Sequence, residues 1–362
     1  MPSPGSNCRG EDLFVYVTMV RLCPTKLEEK RTGSVYRTRL QAGLSALSRW
    51  LQLRSAEYLE GLASNSISPL VVDQLLAEFV TESHELGHKF WIVKHAVLSA
   101  QTRFRHYRGK IPRAWDCLSS WEATRPFRSR TPIGRDLVYF LSAVAFSWGV
   151  EVGSRANHML PMSILLRVGY HGLLRPGEIA NLRVEDVSVS LSAYRPNAVL
   201  AIRSPKTRNW NGRHQFVLIE DLSTVQWLKW LVDNVPKTTK VWTGSAATFR
   251  TSFLQLTQRA GLETLRLSPA GLRAGGATDM IRSGAYVGRV RFLGRWRAEG
   301  TMIAYIQESM SAHVWNAVDP SLQSLILSTN AESDQFLKAP PLVPWPALFS
   351  RRLLSVPWKP RR

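Results

Sequence analysis

Cysteine is scarce in this 362-residue chain, which has only Cys8, Cys23 and Cys117. Three widely separated thiols without the paired spacing of a zinc site exclude a disulfide framework and fit a reducing compartment. Acidic residues are also few, with 27 Asp+Glu against 47 Lys+Arg, and no two carboxylates are spaced to share a metal ion. Long apolar runs are missing as well. The stretch LVYFLSAVAFSWGV, from Leu137, is too short to span a bilayer. FVYVTMV, near the start, follows Arg9, Glu11 and Asp12 and carries no small-residue cleavage pattern, so no signal peptide is expected. The expectation is an intracellular protein with no cofactor, no metal and no membrane partner.

What is present is positive charge, a formal +20 at pH 7. Docking such a surface on a polyanion releases counterions, which makes nucleic acid the leading partner. An acidic membrane surface would attract the same charge, but polybasic anchors are single clusters, and here the charge is spread over several segments. An apolar content of 44% is ample for real cores, and the length suits two domains.

Residues 1–33 mix Pro, Gly, Ser and charges and read as an N-terminal extension. From 34 to 124 the period is helical. Leu40, Leu44, Leu47 and Leu51 share one face, and Val72, Leu75, Leu76, Phe79 and Val80 repeat the spacing after Ser68 and Pro69, a helix start. A third helix is predicted from His88 to Tyr107, and a fourth opens at Pro112. The segment 125–134, with its prolines and arginines, reads as a linker.

The second domain, 135–330, begins with a helix from Arg135 and another ending near Gly172. One β signal follows: AVLAIR and QFVLI flank SPKTRNWNGRH, whose Asn-Gly pair suits a hairpin turn and which carries Lys206. Helices are predicted at 223–234, 246–260, 269–283, 286–294 and 300–308. Residues 331–362 hold six prolines without a clear period and read as a Pro-rich tail.

The sharpest local feature is the stretch 266–297, with seven arginines and one acid, Asp279. It contains LSPAGLRAGGAT and LGRW, and Tyr305 stands nine residues beyond Trp296. Upstream lies LLRPGEIANLRVEDV, with Arg175. In this order and spacing the motifs resemble the catalytic domain of the tyrosine recombinases, or phage-integrase-like family, over about residues 135–315. Their flavour is similar to recombinases of DIRS- or Crypton-like mobile elements. The resemblance implies a mainly α fold with a small antiparallel β-hairpin or sheet. It also implies a helical core-binding domain that closes around DNA, a catalytic domain, and a tetramer on double-stranded DNA in which a C-terminal helix docks on a neighbour. In a eukaryotic host it implies a nuclear location.

The resemblance assigns Arg175 and Arg273 as a clamp on a phosphodiester, Trp296 as a donor to the same phosphate, Tyr305 as nucleophile and Lys206 as general acid. These types suit the chemistry. Guanidinium groups present fixed donors to non-bridging oxygens as negative charge builds there. Taken singly, the residues have plainer readings: Arg175 as a surface charge paired with Glu178, Tyr305 as core, Trp296 as one of 13 tryptophans.

One departure stands out. The family's His three residues before the second arginine is Ala270 here, which opens a second reading as a catalytically impaired DNA-binding relative. A lost acid–base group typically costs about 10²–10⁴ in rate. His171, one turn before Arg175, is the nearby candidate for a substitute, with a plain core histidine as the alternative. For phosphate contacts outside the site, the run Arg103, Arg105, Arg108, Lys110 and Arg113, interleaved with Phe104 and Tyr107, is a candidate. Arg128 and Arg130 of the linker are candidates too. An RNA-binding helical protein would also account for the charge alone.

Overall fold

The computed structural model describes residues 33–125, 131–152, 158–192, 194–203, 205, 215–233 and 236–337. Arg128, Arg130 and Lys206, and the Asn-Gly pair of the hairpin, lie outside these residues. The chain divides into two compact units at residue 127.

The first unit is helical: α1 (Ser34–Arg54), α2 (Ala56–Ser64), α3 (Pro69–Glu85), α4 (Phe90–Arg103) and α5 (Pro112–Thr124). The predicted start at Ser68 and Pro69 is present: the Ser68 hydroxyl accepts from Val71 N at 3.4 Å, with Pro69 in the first turn. Helix α4 is shorter than the period suggested. It ends at Arg103, and a 3-10 turn covers Arg105–Tyr107. The leucine face of α1 and the apolar face of α3 meet Val93, Ala96 and Val97 of α4 in one core. Gly43 lets α1 approach α4 closely, since a Cβ there would lie 2.4 Å from the Ala96 nitrogen. Asp73 is buried and accepts from Ala114 N at 2.9 Å and Arg113 N at 3.1 Å, so its charge sits on the positive end of α5.

The second unit is mainly helical with one small sheet. Its elements are α6 (Arg135–Val152), α7 (Met159–His171), α8 (Pro176–Asn181), β1 (Val187–Ser190), β2 (Asn197–Ile202), β3 (Gln215–Ile219), α9 (Leu222–Asp233), α10 (Ala246–Arg259), α11 (Ala270–Arg282), α12 (Val287–Gly294), α13 (Glu299–Ile303), α14 (Glu308–Asn316) and α15 (Pro320–Leu337). The sheet is antiparallel in the order β1-β2-β3, with Leu200 opposite Val187 on one side and Val217 on the other. Alternation along β2 and β3 turns Ala198, Leu200, Ile202, Val217 and Ile219 into the core shared with α6, α7 and α9.

Helix α11 packs tightly because its glycines have no side chain to hold it off. A Cβ at Gly275 would sit 1.8 Å from the Ile133 carbonyl oxygen, and one at Gly276 would sit 2.3 Å from that of Tyr170. Two expectations need correction. The helix predicted over 300–308 stops at Ile303, which leaves Tyr305 in a turn. Helix α15 continues past Ala331 to Leu337, where the sequence suggested a tail. Of the described residues beyond Ile306, Ile326 joins the core of its own unit, and the Asn330 amide donates to the Asp136 carbonyl at 3.0 Å.

Candidate active site

The site forms where α7 ends. Leu173, just past that end, takes a left-handed backbone (φ 47°), which turns the chain into Arg175 at the head of α8. Glu178, three residues on, accepts from Arg175 N at 2.9 Å through Oε2 and from Arg175 Nη1 at 2.8 Å through Oε1. The expected Arg175–Glu178 pair is therefore present, but it is half-buried and faces inward.

Arg273 projects from α11 into the same region and is 1% exposed. Its Nη1 donates to the Leu173 carbonyl at 2.7 Å and its Nη2 to the Gly294 carbonyl at 2.5 Å. The guanidinium carbon lies 4.0 Å from the centre of the Trp296 ring and 5.7 Å from that of Tyr305. The two rings are 5.3 Å apart. The indole thus meets Arg273 through its face, a cation–π contact. Gly294 makes room for it, since a Cβ there would fall 1.6 Å from the Trp296 ring. Burial lowers the Arg273 pKa, and the guanidinium groups of Arg175 and Arg295 lower it further. An arginine starts high enough to stay charged at neutral pH regardless.

Four of the five candidate catalytic residues, Arg175, Arg273, Trp296 and Tyr305, are brought together from separate elements; the fifth, Lys206, lies outside the described residues. The turn bearing Tyr305 is tied to α11. The Thr278 hydroxyl donates to the Tyr305 carbonyl at 3.3 Å and accepts from Gln307 N at 3.2 Å. Sequence reasoning missed this buried threonine, five residues along the helix from Arg273.

It also missed Arg295. That residue caps α12 with a left-handed backbone (φ 58°) and is buried, and its Nη2 donates to Glu178 Oε2 at 2.7 Å. Locally it looks like its exposed neighbours Arg291 and Arg297. Its place between Gly294 and Trp296 was the available signal.

His171 belongs elsewhere. Its Nε2 is 3.0 Å from the Tyr139 hydroxyl and 3.7 Å from Asp221 Oδ1, and burial lowers its pKa to about 4. It lines a cleft of about 1160 Å³ with Arg135, Asp221, Asp279 and Arg289, and none of the four clustered catalytic candidates lines that cleft. Ala270 begins α11 and offers no polar group. In the first unit Arg105, Arg108, Lys110 and Arg113 are exposed and Arg103 is half-buried. The interleaved aromatics are not available for stacking. Phe104 and Tyr107 are buried in the core, with the Tyr107 hydroxyl donating to the Ile67 carbonyl at 3.1 Å.

No family model matches the chain, and no curated protein matches it. Solved structures similar to it include the XerA recombinase, at 14% identity and a TM-score of 0.39 over 76% of this chain and 97% of that one. The Tn1549 transposon integrase in complex with transposon right end DNA has 13% identity and a TM-score of 0.47 over 76% and 99%. A lambda integrase dimer bound to a COC′ core site has 12% identity and a TM-score of 0.44 over 83% and 89%. None of these three reaches a TM-score of 0.5, and the functional reading rests on the chain's own geometry. Among the described residues no helix is long and apolar enough to cross a membrane.

Proposed function

We propose that the second unit is a tyrosine recombinase that cleaves, transfers and rejoins double-stranded DNA through a phosphotyrosyl intermediate. The observation that carries this reading is the packing of Tyr305 and Trp296 against Arg273, with Arg175 beside it. A nucleophile and two guanidinium groups are gathered from separate segments of the chain, as far apart in sequence as Arg175 and Tyr305. In the proposed step the Tyr305 oxygen bonds to phosphorus as its phenolic proton passes to solvent water, the bond from phosphorus to the 5′ oxygen breaks, and Lys206 protonates the departing oxygen. Charge growing on the non-bridging oxygens is met by the arginines, so a metal ion is not needed for that task. Arg273 is buried with one hydrogen bond from each Nη to a backbone carbonyl and with Nε unmatched among the described residues, so N–H donors remain for a phosphate oxygen.

The first unit supplies phosphate contacts through Arg103, Arg105, Arg108, Lys110 and Arg113, and Arg128 and Arg130 supply further ones. The working assembly is a homo-tetramer on DNA, inside the cell and in the nucleus of a eukaryotic host. A second reading follows from Ala270: the cluster binds DNA and does not turn it over, because alanine at that position can neither donate to the phosphate nor relay the tyrosyl proton.

The test is single-turnover reaction with a pool of nicked duplexes of randomised sequence, in which the short 5′-hydroxyl fragment diffuses away and traps the adduct. A covalent DNA adduct in the wild type that is absent in Tyr305→Phe is the expected result. Tight duplex binding without adduct would establish the second reading instead.

A further inference from the structure

Arg295 is held as a functional group would be, and none of the sequence motifs assigned it a role. Its guanidinium is 6% exposed, and Nη2 is committed to Glu178 and, at 3.4 Å, to the Leu173 carbonyl that also takes Arg273 Nη1. Its Nε and Nη1 are buried and make no hydrogen bond among the described residues, and the same is true of Arg273 Nε. A buried charged donor left unmatched costs more than a neutral one, and three such donors gather here on two neighbouring guanidinium groups.

The charges point the same way. One carboxylate, Glu178, bridges Arg175 through Oε1 and Arg295 through Oε2, while Arg273 forms no ion pair among the described residues. Three guanidinium groups against one carboxylate leave a buried surplus of positive charge, which an anion with several acceptor oxygens would neutralise. The backbone is also strained to bring this about. Leu173 and Arg295 are two of the four non-glycine residues at positive φ among the described residues, and both edge this cluster. Residues held in that region cost of order 1–3 kcal/mol each and persist where the surroundings enforce them.

We propose that Arg295 is a third phosphate-binding arginine of this site, donating from Nε and Nη1 to the anion that Arg175 and Arg273 hold. Glu178 sets the spacing of the two outer guanidinium groups and limits the strength of binding. The proposal rests on the reading of the site as a phosphodiester pocket and extends it by a residue. It also suggests how the site tolerates Ala270: a donor to the phosphate is supplied from the head of the Gly294–Trp296 turn in place of one from α11.

Inorganic phosphate is the probe, because it needs no target sequence. Melting of the full chain is followed in phosphate and in chloride at matched ionic strength. The wild type should melt higher in phosphate. Arg295→Gln should lose most of that difference, and Arg250→Gln, on an exposed face of α10, should keep it. Should Arg295→Gln fail to fold, Glu178→Gln decides: with the competing carboxylate gone, the phosphate-dependent rise should grow.

A rise of wild-type size in Arg295→Gln, or a smaller rise in Glu178→Gln, would overturn the proposal. So would a wild type that melts alike in both salts. The adduct assay separates the two claims. A phosphate-dependent rise without adduct removes strand cleavage and keeps the anion site, while an adduct in a protein indifferent to phosphate removes Arg295 alone.

Discussion

Arg167 and Arg273 are both fully buried arginines of the second unit, and their surroundings differ in kind. Arg167, on α7, donates from Nε to the Ser142 hydroxyl at 3.1 Å and from Nη1 to that of Ser223 at 3.0 Å. Its guanidinium lies 3.9 Å from the centre of the Tyr139 ring and 4.6 Å from that of Trp227. Nearby, Asp221 faces Arg135 and His171, and Asp279 accepts from the Tyr170 hydroxyl. In this region acids and bases alternate and side-chain hydroxyls supply acceptors. Around Arg273 the acceptors are backbone carbonyls and the neighbours are further arginines. The first arrangement is what a core asks of a charge. The second is what a site asks when its counter-charge arrives with a ligand.

This difference sets the expected effect of mutation. Arg273→Lys removes the planar donor pair and keeps a charge. Adduct formation should fall about 10²–10³-fold, as for loss of a transition-state donor, with a small change in melting. Arg167→Ala should do the reverse, with adduct yield per folded molecule near wild type and stability lower by about 2–5 kcal/mol, as for large-to-small core changes. Paired kinetics and denaturant unfolding check both, and equal effects in the two variants would erase the distinction.

A second contrast concerns pH. His171 is buried neutral with its pKa lowered to about 4 from an ordinary 6.5, because burial outweighs the attraction of Asp221. The unfolded chain therefore binds the proton first as pH falls, and stability is lost between about 6.5 and 4, on the order of 3 kcal/mol in all. Asp221 acts the same way lower down. Its pKa is lowered to about 2 from 3.8, despite its burial, by His171 and by hydrogen bonds from Thr224 and Ser223, and its contribution disappears below about pH 4. Melting temperature followed from pH 7 to 4 should drop in the wild type and flatten in His171→Gln.

The smallest expected effect is in the first unit. Replacing exposed Arg108 and Lys110 together by Gln should weaken duplex binding alike for all sequences. It should also reduce the slope of log affinity against log salt by about 2, since each phosphate contact contributes about 0.9. An unchanged slope would remove that run from the DNA-contacting surface.

Much of the fold was readable because its signals are local. Ser68 and Pro69 start α3, alternation marks β2 and β3, and the 3.6-residue period gives α10 and α11 within a residue or two of their ends. Strand β1 was missed because four residues of Val and Ser alternate too briefly to stand out, and pairing with β2 decides them. Tyr305 was placed in a helix because its neighbours form helices readily. Thr278 ends that helix early by tying the turn to α11.

In the site, Arg175, Arg273, Trp296 and Tyr305 were legible from motif order. Arg295 was not, because its burial depends on a left-handed cap and on a carboxylate more than a hundred residues away. Within the basic run, the burial of Phe104 and Tyr107 was not legible either, since it depends on packing against the other helices of the first unit.

The central claim is that Tyr305 bonds to DNA. It is tested most directly by digesting the trapped adduct with protease and nuclease and sequencing the nucleotide-bearing peptide. The account predicts a residual nucleotide phosphate on Tyr305 and on no other residue. A nucleotide on a different side chain, or unmodified Tyr305 in a protein that has cut DNA, would contradict it.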